Sequence, residues 1–288
     1  MTQDVIIIGA PRSGTNMLRD VLTNLPGFAT WPCDEINFVW RHGNRSAPSD
    51  ELAPVLARPK VSAYLRNEFD KVRRRYSAAS VVEKTCANSL RVEFVARVFP
   101  DAKYLFIRRD GLDAAASAMM RWSAPLDVRY TAAKARFVPV ADLPYYGGRF
   151  VQNRLKLRRR AVERDSPGRV QNWWGPKPSG FIQLQASHPL DEICIIQWQR
   201  CVEASLRGIA ALPTKQVHEI TYEEFVSSPP DQLREVLGFL GRPDAFHADA
   251  VARVSDQSVG KGRAALGAET TARLESLAAG TLRKLGYV

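Results

Sequence analysis

The sequence has few of the residues from which metal sites and disulfide frameworks are built. Its 288 residues include four cysteines and four histidines. The cysteines form no C-x-x-C pair, and the histidines show no metal-ligand spacing. The cysteines are Cys33, Cys86, Cys194 and Cys201. We therefore expect a protein of a reducing compartment that holds no metal.

Long apolar runs, internal repeats and low-complexity segments are also missing. No stretch approaches the ~20 apolar residues that a membrane-spanning helix needs. The opening residues, MTQDV, lead directly into an apolar run, so no signal peptide is expected. With 45% hydrophobic residues, the chain can bury a sizeable core. These features predict a cytoplasmic protein with one domain over residues 1–288 and no membrane span.

The chain has little acidic charge relative to its basic charge. It carries 41 Lys and Arg against 30 Asp and Glu, which gives a formal net charge of +11. Such an excess favours anionic partners: nucleic acid, an acidic membrane surface or a small polyanion. No nucleic-acid-binding motif accompanies the charge, so we expect no nucleic-acid partner and favour a small polyanion.

One segment near the start of the chain predicts a site for such an anion. Val5 to Ile8 is a β-branched run typical of a strand buried on both faces of a parallel sheet. After Gly14 the apolar residues recur at helical spacing. The loop between them, residues 9–16 (the P-loop), points backbone N–H groups and the positive end of a helix at one position. That position suits a phosphate-like group.

The P-loop departs from the loop that binds ATP with magnesium. Gly9 and Gly14 keep the G-x-x-x-x-G spacing, but Thr15 replaces the lysine and Asn16 replaces the magnesium-binding hydroxyl. Arg12 adds a cation within the loop. The loop is therefore suited to an anion but lacks the groups that make ATP–magnesium chemistry efficient. A P-loop kinase acting on a small molecule remains the main alternative.

Further strand-to-helix units complete the predicted fold. Strands at Ser80 to Val82, Tyr104 to Ile107 and Val217 to Tyr222 each end in polar residues. Asp110 is expected to cap the helix that follows the second of these strands. The pattern predicts an α/β fold of three layers, with a central, mostly parallel sheet flanked by helices. Residues 123–185, rich in aromatic and basic residues, are expected to form an acceptor-side insertion or lid, although its aromatics could equally be core.

Several motifs resemble those of sulfotransferases that use 3′-phosphoadenosine 5′-phosphosulfate (PAPS). PRSGT after a strand resembles their 5′-phosphosulfate loop, and Arg109 with Ser117 in YLFIRRDGLDAAAS resembles their 3′-phosphate signature. Arg108 competes with Arg109, but the spacing favours Arg109. The resemblance extends to bacterial, tyrosylprotein and heparan-type sulfotransferases. It implies that the P-loop residues that bind the 5′ end are Arg12, Ser13, Gly14, Thr15 and Asn16.

Two later motifs extend the resemblance along the chain. In VHEITYEEF, Tyr222 matches a tyrosine that lies by the adenine. In SDQSVGKGR, residues 255–263 (the late loop), Lys261, Gly262 and Arg263 match a basic loop that closes over the 3′-phosphate. Relatives often carry tryptophan where Gly262 stands.

The resemblance also implies catalytic residues. Glu35 lies at about the distance after the P-loop where tyrosylprotein and heparan-type enzymes place a glutamate base. Lys84 resembles the lysine aimed at the leaving oxygen, and Arg12 acts beside it. Asp34 and Glu83 are the alternatives for the base. Glu35 is preferred to Glu83, because a lysine beside Glu83 is expected to hold it ionised and poorly basic.

The resemblance thus implies transfer of a sulfuryl group from PAPS to an acceptor hydroxyl by in-line displacement. The acceptor is expected to be a saccharide such as a glycan, or another hydroxylated metabolite. Protein-tyrosine sulfation and small-molecule phosphorylation are the alternatives.

Overall fold

A five-stranded parallel sheet forms the centre of the protein. The computed structural model describes residues 2–122, 136–148 and 173–288. The strands are β1 (Gln3–Ile8), β2 (Phe28–Ala29), β3 (Ser80–Lys84), β4 (Lys103–Arg108) and β5 (Val217–Thr221). They lie in the order β2-β3-β1-β4-β5, and every pairing is parallel. The predicted α/β fold class is confirmed.

Helices cover both faces of the sheet. In chain order they are α1 (Thr15–Thr23), α2 (Asn37–Trp40), α3 (Pro59–Tyr76), α4 (Val92–Val98), α5 (Gly111–Trp122), α6 (Phe181–Ser187), α7 (Leu190–Ala210), α8 (Tyr222–Ser227), α9 (Pro229–Phe239), α10 (Lys261–Leu266) and α11 (Ala268–Leu285). Short 3-10 turns join several of them.

The central strand shows why its β-branched run predicts burial on both faces. Val5 and Ile7 pack into one hydrophobic cluster, and Ile6 and Ile8 pack into another on the opposite face. All four side chains are almost completely buried. Successive residues of a strand point to opposite faces, so a run without polar residues fits only a covered strand.

The strand order brings the ends of three strands together. β1 pairs with β3 on one side, where Ile7 lies opposite Lys84, and with β4 on the other, where Ile8 lies opposite Phe106. The chain passes from β3 to β4 across β1, so the winding of the sheet reverses there. In open parallel sheets, ligands bind at this reversal, beside the carboxyl ends of the strands.

Helix α5 leaves that edge with a capped first turn. The Asp110 Oδ1 atom accepts hydrogen bonds from the backbone N–H groups of Leu112 and Asp113 at 2.8 and 3.0 Å. The predicted cap is confirmed. A third hydrophobic cluster, which includes Trp198 of α7 and Leu274 of α11, packs α5 into place.

The fold contains one strand that the sequence did not predict. β2 was not predicted, because two residues are too few to show a strand period. Most of the insertion expected over residues 123–185 lies outside the described residues, namely 123–135 and 149–172. In its described part, buried Asp142 contacts His42 and Arg45, which fixes residues 136–148 to the loop after α2.

In the described ranges, no helix combines the length and apolar character needed to cross a membrane.

Candidate active site

A cavity of about 780 Å³ lies at the carboxyl ends of β1, β3 and β4. Its lining includes most of the residues that the motifs single out. Those residues are Arg12, Gly14, Thr15, Asn16, Glu35, Lys84, Arg109, Ser117, Tyr222, Lys261 and Gly262. The structure therefore brings together positions that are more than two hundred residues apart in the chain.

Two residues of the P-loop have backbone conformations in the left-handed region. Gly14 has a φ of +88°, and a Cβ there would lie 2.4 Å from a ring carbon of Tyr222. Only glycine suits that position. Arg12 has a φ of +67° although it is not glycine, and such strain is typical of functional loops. Because α1 begins at Thr15, its first N–H groups have no partner within the helix and face the cavity end of β1.

Arg109 links the P-loop to the late loop. Its guanidinium donates to the Arg12 carbonyl oxygen at 3.1 Å and to the Ser258 carbonyl oxygen at 2.7 Å. It also lies over the Tyr222 ring, 4.4 Å from the centroid. The side chain is buried, and its Nε has no hydrogen-bond partner among the described residues. Arg108, the competing arginine, donates instead to the Leu285 carbonyl oxygen and does not line the cavity.

The two predicted phosphate signatures also touch directly. Arg12 Nε donates to Ser117 Oγ at 2.9 Å. Burial lowers the pKa of Arg12, and the neighbouring Arg109 lowers it further. A cation held in this way gains stability when an anion binds beside it.

Asp113, which the sequence analysis did not single out, positions the late loop. Its buried carboxylate accepts hydrogen bonds from the N–H groups of Gly260, Gly262 and Arg263 at 2.6, 2.8 and 3.1 Å. A Cβ on Gly262 would lie 2.6 Å from the Asp113 Cα atom. This close approach favours glycine at position 262, and Lys261 beside it lines the cavity.

Two predicted residues do not line the cavity. Ser13 is wholly buried, and its N–H donates to the Ala10 carbonyl oxygen at 3.3 Å. Arg263 turns its guanidinium to Asp110 and Glu275. The structure therefore gives both residues contacts that support their loops.

Glu35 and Lys84 form an ion pair in the cavity. Glu35 Oε1 accepts hydrogen bonds from Lys84 Nζ at 3.1 Å and from the Cys86 N–H at 3.3 Å. Burial acts to lower the pKa of Lys84, but Glu35 outweighs it, so the pKa of Lys84 is raised. The lysine therefore keeps its positive charge in a buried site.

The reason given for preferring Glu35 to Glu83 was wrong, because the carboxylate that pairs with Lys84 is that of Glu35. Burial raises the pKa of Glu83 to about 7, so Lys84 does not hold it firmly ionised. Position separates Glu83 from the cavity instead: it is wholly buried, and its carboxylate accepts from Thr85 Oγ1 at 2.5 Å and Asn88 Nδ2 at 2.8 Å. Asp34, the other alternative, pairs with Arg19 and does not line the cavity.

Thr85 connects Glu83 to the loop that carries Glu35. Besides donating to Glu83, Thr85 Oγ1 accepts a hydrogen bond from the Ile36 N–H at 3.2 Å. The Glu35 backbone is thereby fixed to the end of β3. Sequence reasoning missed this role because it depends on a contact between residues 49 positions apart.

The charges that line the cavity favour an anionic ligand. Four cationic side chains, Arg12, Lys84, Arg109 and Lys261, are accompanied by the carboxylates of Glu35 and Asp113. Asp113 is already balanced by three N–H groups. Across residues 2–122, 136–148 and 173–288, no group of three or more His, Cys, Asp or Glu side chains is arranged to hold a metal ion.

Comparison with known proteins gives the family. The model of the sulfotransferase family matches residues 4–162, more than half of the chain. No curated protein sequence matches significantly. Three solved structures share the fold. Sulfotransferase STF9 from Mycobacterium avium is 13% identical, with 98% of this chain and 76% of that chain covered and a TM-score of 0.52. Sulfotransferase STF1 from Mycobacterium tuberculosis H37Rv is 12% identical, with 97% of this chain and 77% of that chain covered and a TM-score of 0.51. The sulfotransferase domain from the curacin biosynthetic pathway is 12% identical, with 94% of this chain and 82% of that chain covered and a TM-score of 0.52. The chain belongs to the sulfotransferase family.

Proposed function

We propose that this sulfotransferase transfers the sulfuryl group of PAPS to the hydroxyl of an acceptor. The observation that carries the proposal is the direct contact between the two predicted phosphate-binding elements. The side chain of Arg12 in the P-loop donates to Ser117, and the Arg12 carbonyl oxygen accepts from Arg109. All three residues line one cavity. A nucleotide with anionic groups at both its 5′ and 3′ ends matches this arrangement.

The residues present fit such a donor. The N–H groups at the start of α1 and the side chain of Arg12 would hold the 5′-phosphosulfate. Arg109, with its unpartnered Nε, would hold the 3′-phosphate together with Ser117 and Lys261. Tyr222 would pack beside the adenine. Ser13 and Arg263 are left out of this set because neither residue lines the cavity.

Glu35 and Lys84 would carry the chemistry. Glu35 accepts the proton of the acceptor hydroxyl as the oxygen–sulfur bond forms. Lys84 places its positive charge by the bridging oxygen that leaves with the nucleotide, where negative charge develops. Arg12 balances charge on the sulfuryl oxygens. The donor supplies the sulfuryl group, and the displacement is in line.

The kinase alternative predicts a different ligand response. We expect adenosine 3′,5′-bisphosphate (PAP), the product of PAPS, to raise the melting temperature in EDTA, because arginine and lysine side chains of the cavity can balance both phosphates. ATP with magnesium should raise it less. Stabilisation by ATP–magnesium alone would contradict the proposal and support a kinase.

The Arg109→Ala variant tests the 3′-phosphate assignment. It should lower the affinity for PAP about 10- to 100-fold, the range expected for the loss of a charge-assisted hydrogen bond. The affinity for AMP should change little. Calorimetry with both nucleotides measures the difference. Arg108→Ala is the matched control, since Arg108 lies next in the chain but outside the cavity. Equal losses for PAP and AMP would remove Arg109 from the 3′-phosphate.

The Thr85→Val variant tests the support of the base. Valine keeps the volume but removes both hydrogen bonds of the hydroxyl, so turnover should fall about tenfold with little change in PAP affinity. Thr85→Ser should restore most of the turnover. A Thr85→Val enzyme with normal turnover would show that the Ile36 contact does not position Glu35.

A further inference from the structure

One part of the cavity wall is apolar and contains none of the residues assigned to the proposed donor site. It is formed by Met17 of α1, Met119 and Met120 of α5, Trp174, and Ala265 and Leu266 of α10. Met120 is 71% exposed, which is unusual for a large apolar side chain at the wall of a cavity. We call these six residues the apolar wall.

The polar groups of the cavity are nearly all accounted for. Those of the P-loop, of α5 up to Ser117 and of the late loop belong to the proposed donor site, and Asp113 is taken by three N–H groups. Among the described lining residues, this leaves the side chains of Glu35 and Lys84 and the indole N–H of Trp174 as polar groups near an acceptor. Glu35 and Lys84 would act on the single hydroxyl that reacts.

The position of the apolar wall along α5 separates part of it from the donor site. Ser117 contacts Arg12, and Met120 lies almost one helical turn further along α5. Met119 packs against the cluster that holds α5 to α7 and α11. The apolar surface therefore continues beyond the predicted 3′-phosphate position, towards the end of α5.

Trp174 is held in place by a buried amide. Gln197 of α7, 1% exposed, donates to the carbonyl oxygens of Trp174 and Pro176, both at 2.9 Å. The neighbouring Trp173 ring packs edge-on against Trp122 of α5, with centroids 5.4 Å apart. The wall is thus fixed by the fold before any acceptor binds.

A sugar and a hydrocarbon alcohol would differ sharply at such a wall. A sugar carries hydroxyls around its ring, and each one buried against methionine or leucine without a partner loses its hydrogen bonds to water. A hydrocarbon chain or ring gains from leaving water instead. Methionine side chains also adapt to apolar ligands of varied shape.

From these contacts we propose that the acceptor is an apolar alcohol, which presents one hydroxyl to Glu35 and packs a hydrocarbon chain or ring on the apolar wall. This rests on the proposed function and narrows its acceptor. It differs from the saccharide expected from the placement of Glu35 and from the aromatic and basic residues of 123–185.

The test measures transfer from labelled PAPS to alcohols matched in size. The value of kcat/KM should rise about fourfold for each CH2 from 1-butanol through 1-hexanol towards 1-octanol. Cyclohexylmethanol should exceed glucose, which presents the same primary hydroxyl on a six-membered ring, by at least about 100-fold, since several buried hydroxyls are avoided. PAP affinity is measured by calorimetry on the same preparation.

Two variants show whether the wall causes the preference. Met120→Gln, close in size, should flatten the dependence on chain length while PAP affinity stays the same. Leu277→Gln on α11 is the control, because Leu277 is also an exposed apolar residue, 40% exposed, but does not line the cavity. It should leave the chain-length dependence unchanged. A Met120→Gln enzyme with the same dependence as Leu277→Gln would overturn the assignment of the wall.

The remaining outcomes distinguish failure of the acceptor inference from failure of the proposed PAPS-dependent function. Glucose or sorbitol sulfated as fast as the hydrocarbon alcohols would overturn the acceptor inference and leave the PAPS reaction standing. Binding of PAP without transfer to any apolar alcohol would do the same. No PAP binding and no transfer at all would overturn the proposed function and the acceptor inference with it.

Discussion

Replacing Glu35 with glutamine is expected to lower turnover by at least about 100-fold, the contribution of a positioned general base. Glutamine can still accept the hydrogen bonds from Lys84 and from the Cys86 N–H, so the local geometry should survive. It cannot take the proton of the acceptor. PAP affinity should therefore stay close to that of the unchanged enzyme.

Single-turnover rates with labelled PAPS measure this effect, and calorimetry with PAP checks the donor site. Asp34→Asn is the control, because Asp34 adjoins Glu35 in the chain but pairs with Arg19 outside the cavity. Full activity in Glu35→Gln would reject this residue as the base.

Replacing Lys84 with methionine is expected to lower turnover by about 10²- to 10³-fold, the loss seen when a group that stabilises developing charge is removed. Methionine keeps most of the aliphatic volume of this buried side chain, so packing should change little. What is lost is the positive charge that Glu35 helps to maintain. Substrate binding should suffer less than the chemical step.

Two measurements distinguish an effect on the chemical step from an effect on donor binding. Single-turnover rates report the chemical step, and PAP affinity reports the donor site. The double variant Glu35→Gln with Lys84→Met should lose less than the product of the two single losses, because the two side chains contact each other. A Lys84→Met enzyme within about threefold of normal turnover would contradict the role of the lysine at the leaving oxygen.

Much of the site was predictable because its signals are local. The change from a β-branched run to helical spacing placed the P-loop between β1 and α1. The eight-residue separation of Arg109 and Ser117 spans the end of β4 and two turns of α5. Such patterns depend on residues close in the chain, and the parallel sheet then brings the strand ends together.

The errors concern contacts that arise only in three dimensions. Glu83 and Lys84 are neighbours in the chain, yet they alternate across β3, so the lysine reaches the cavity and the glutamate is buried. Arg263 has the sequence setting of a phosphate ligand, but Glu275 from α11 binds it. Asp113 was overlooked because its partners lie about 150 residues away.

The central claim is that Arg12 and Arg109 hold opposite ends of one nucleotide. A crystal structure of the protein with PAP bound tests it most directly. The account predicts a single PAP molecule whose 5′-phosphate contacts Arg12 and the start of α1, and whose 3′-phosphate contacts Arg109 and Ser117. A nucleotide that engages only one of the two arginines, with the other facing a separate ligand, would contradict it.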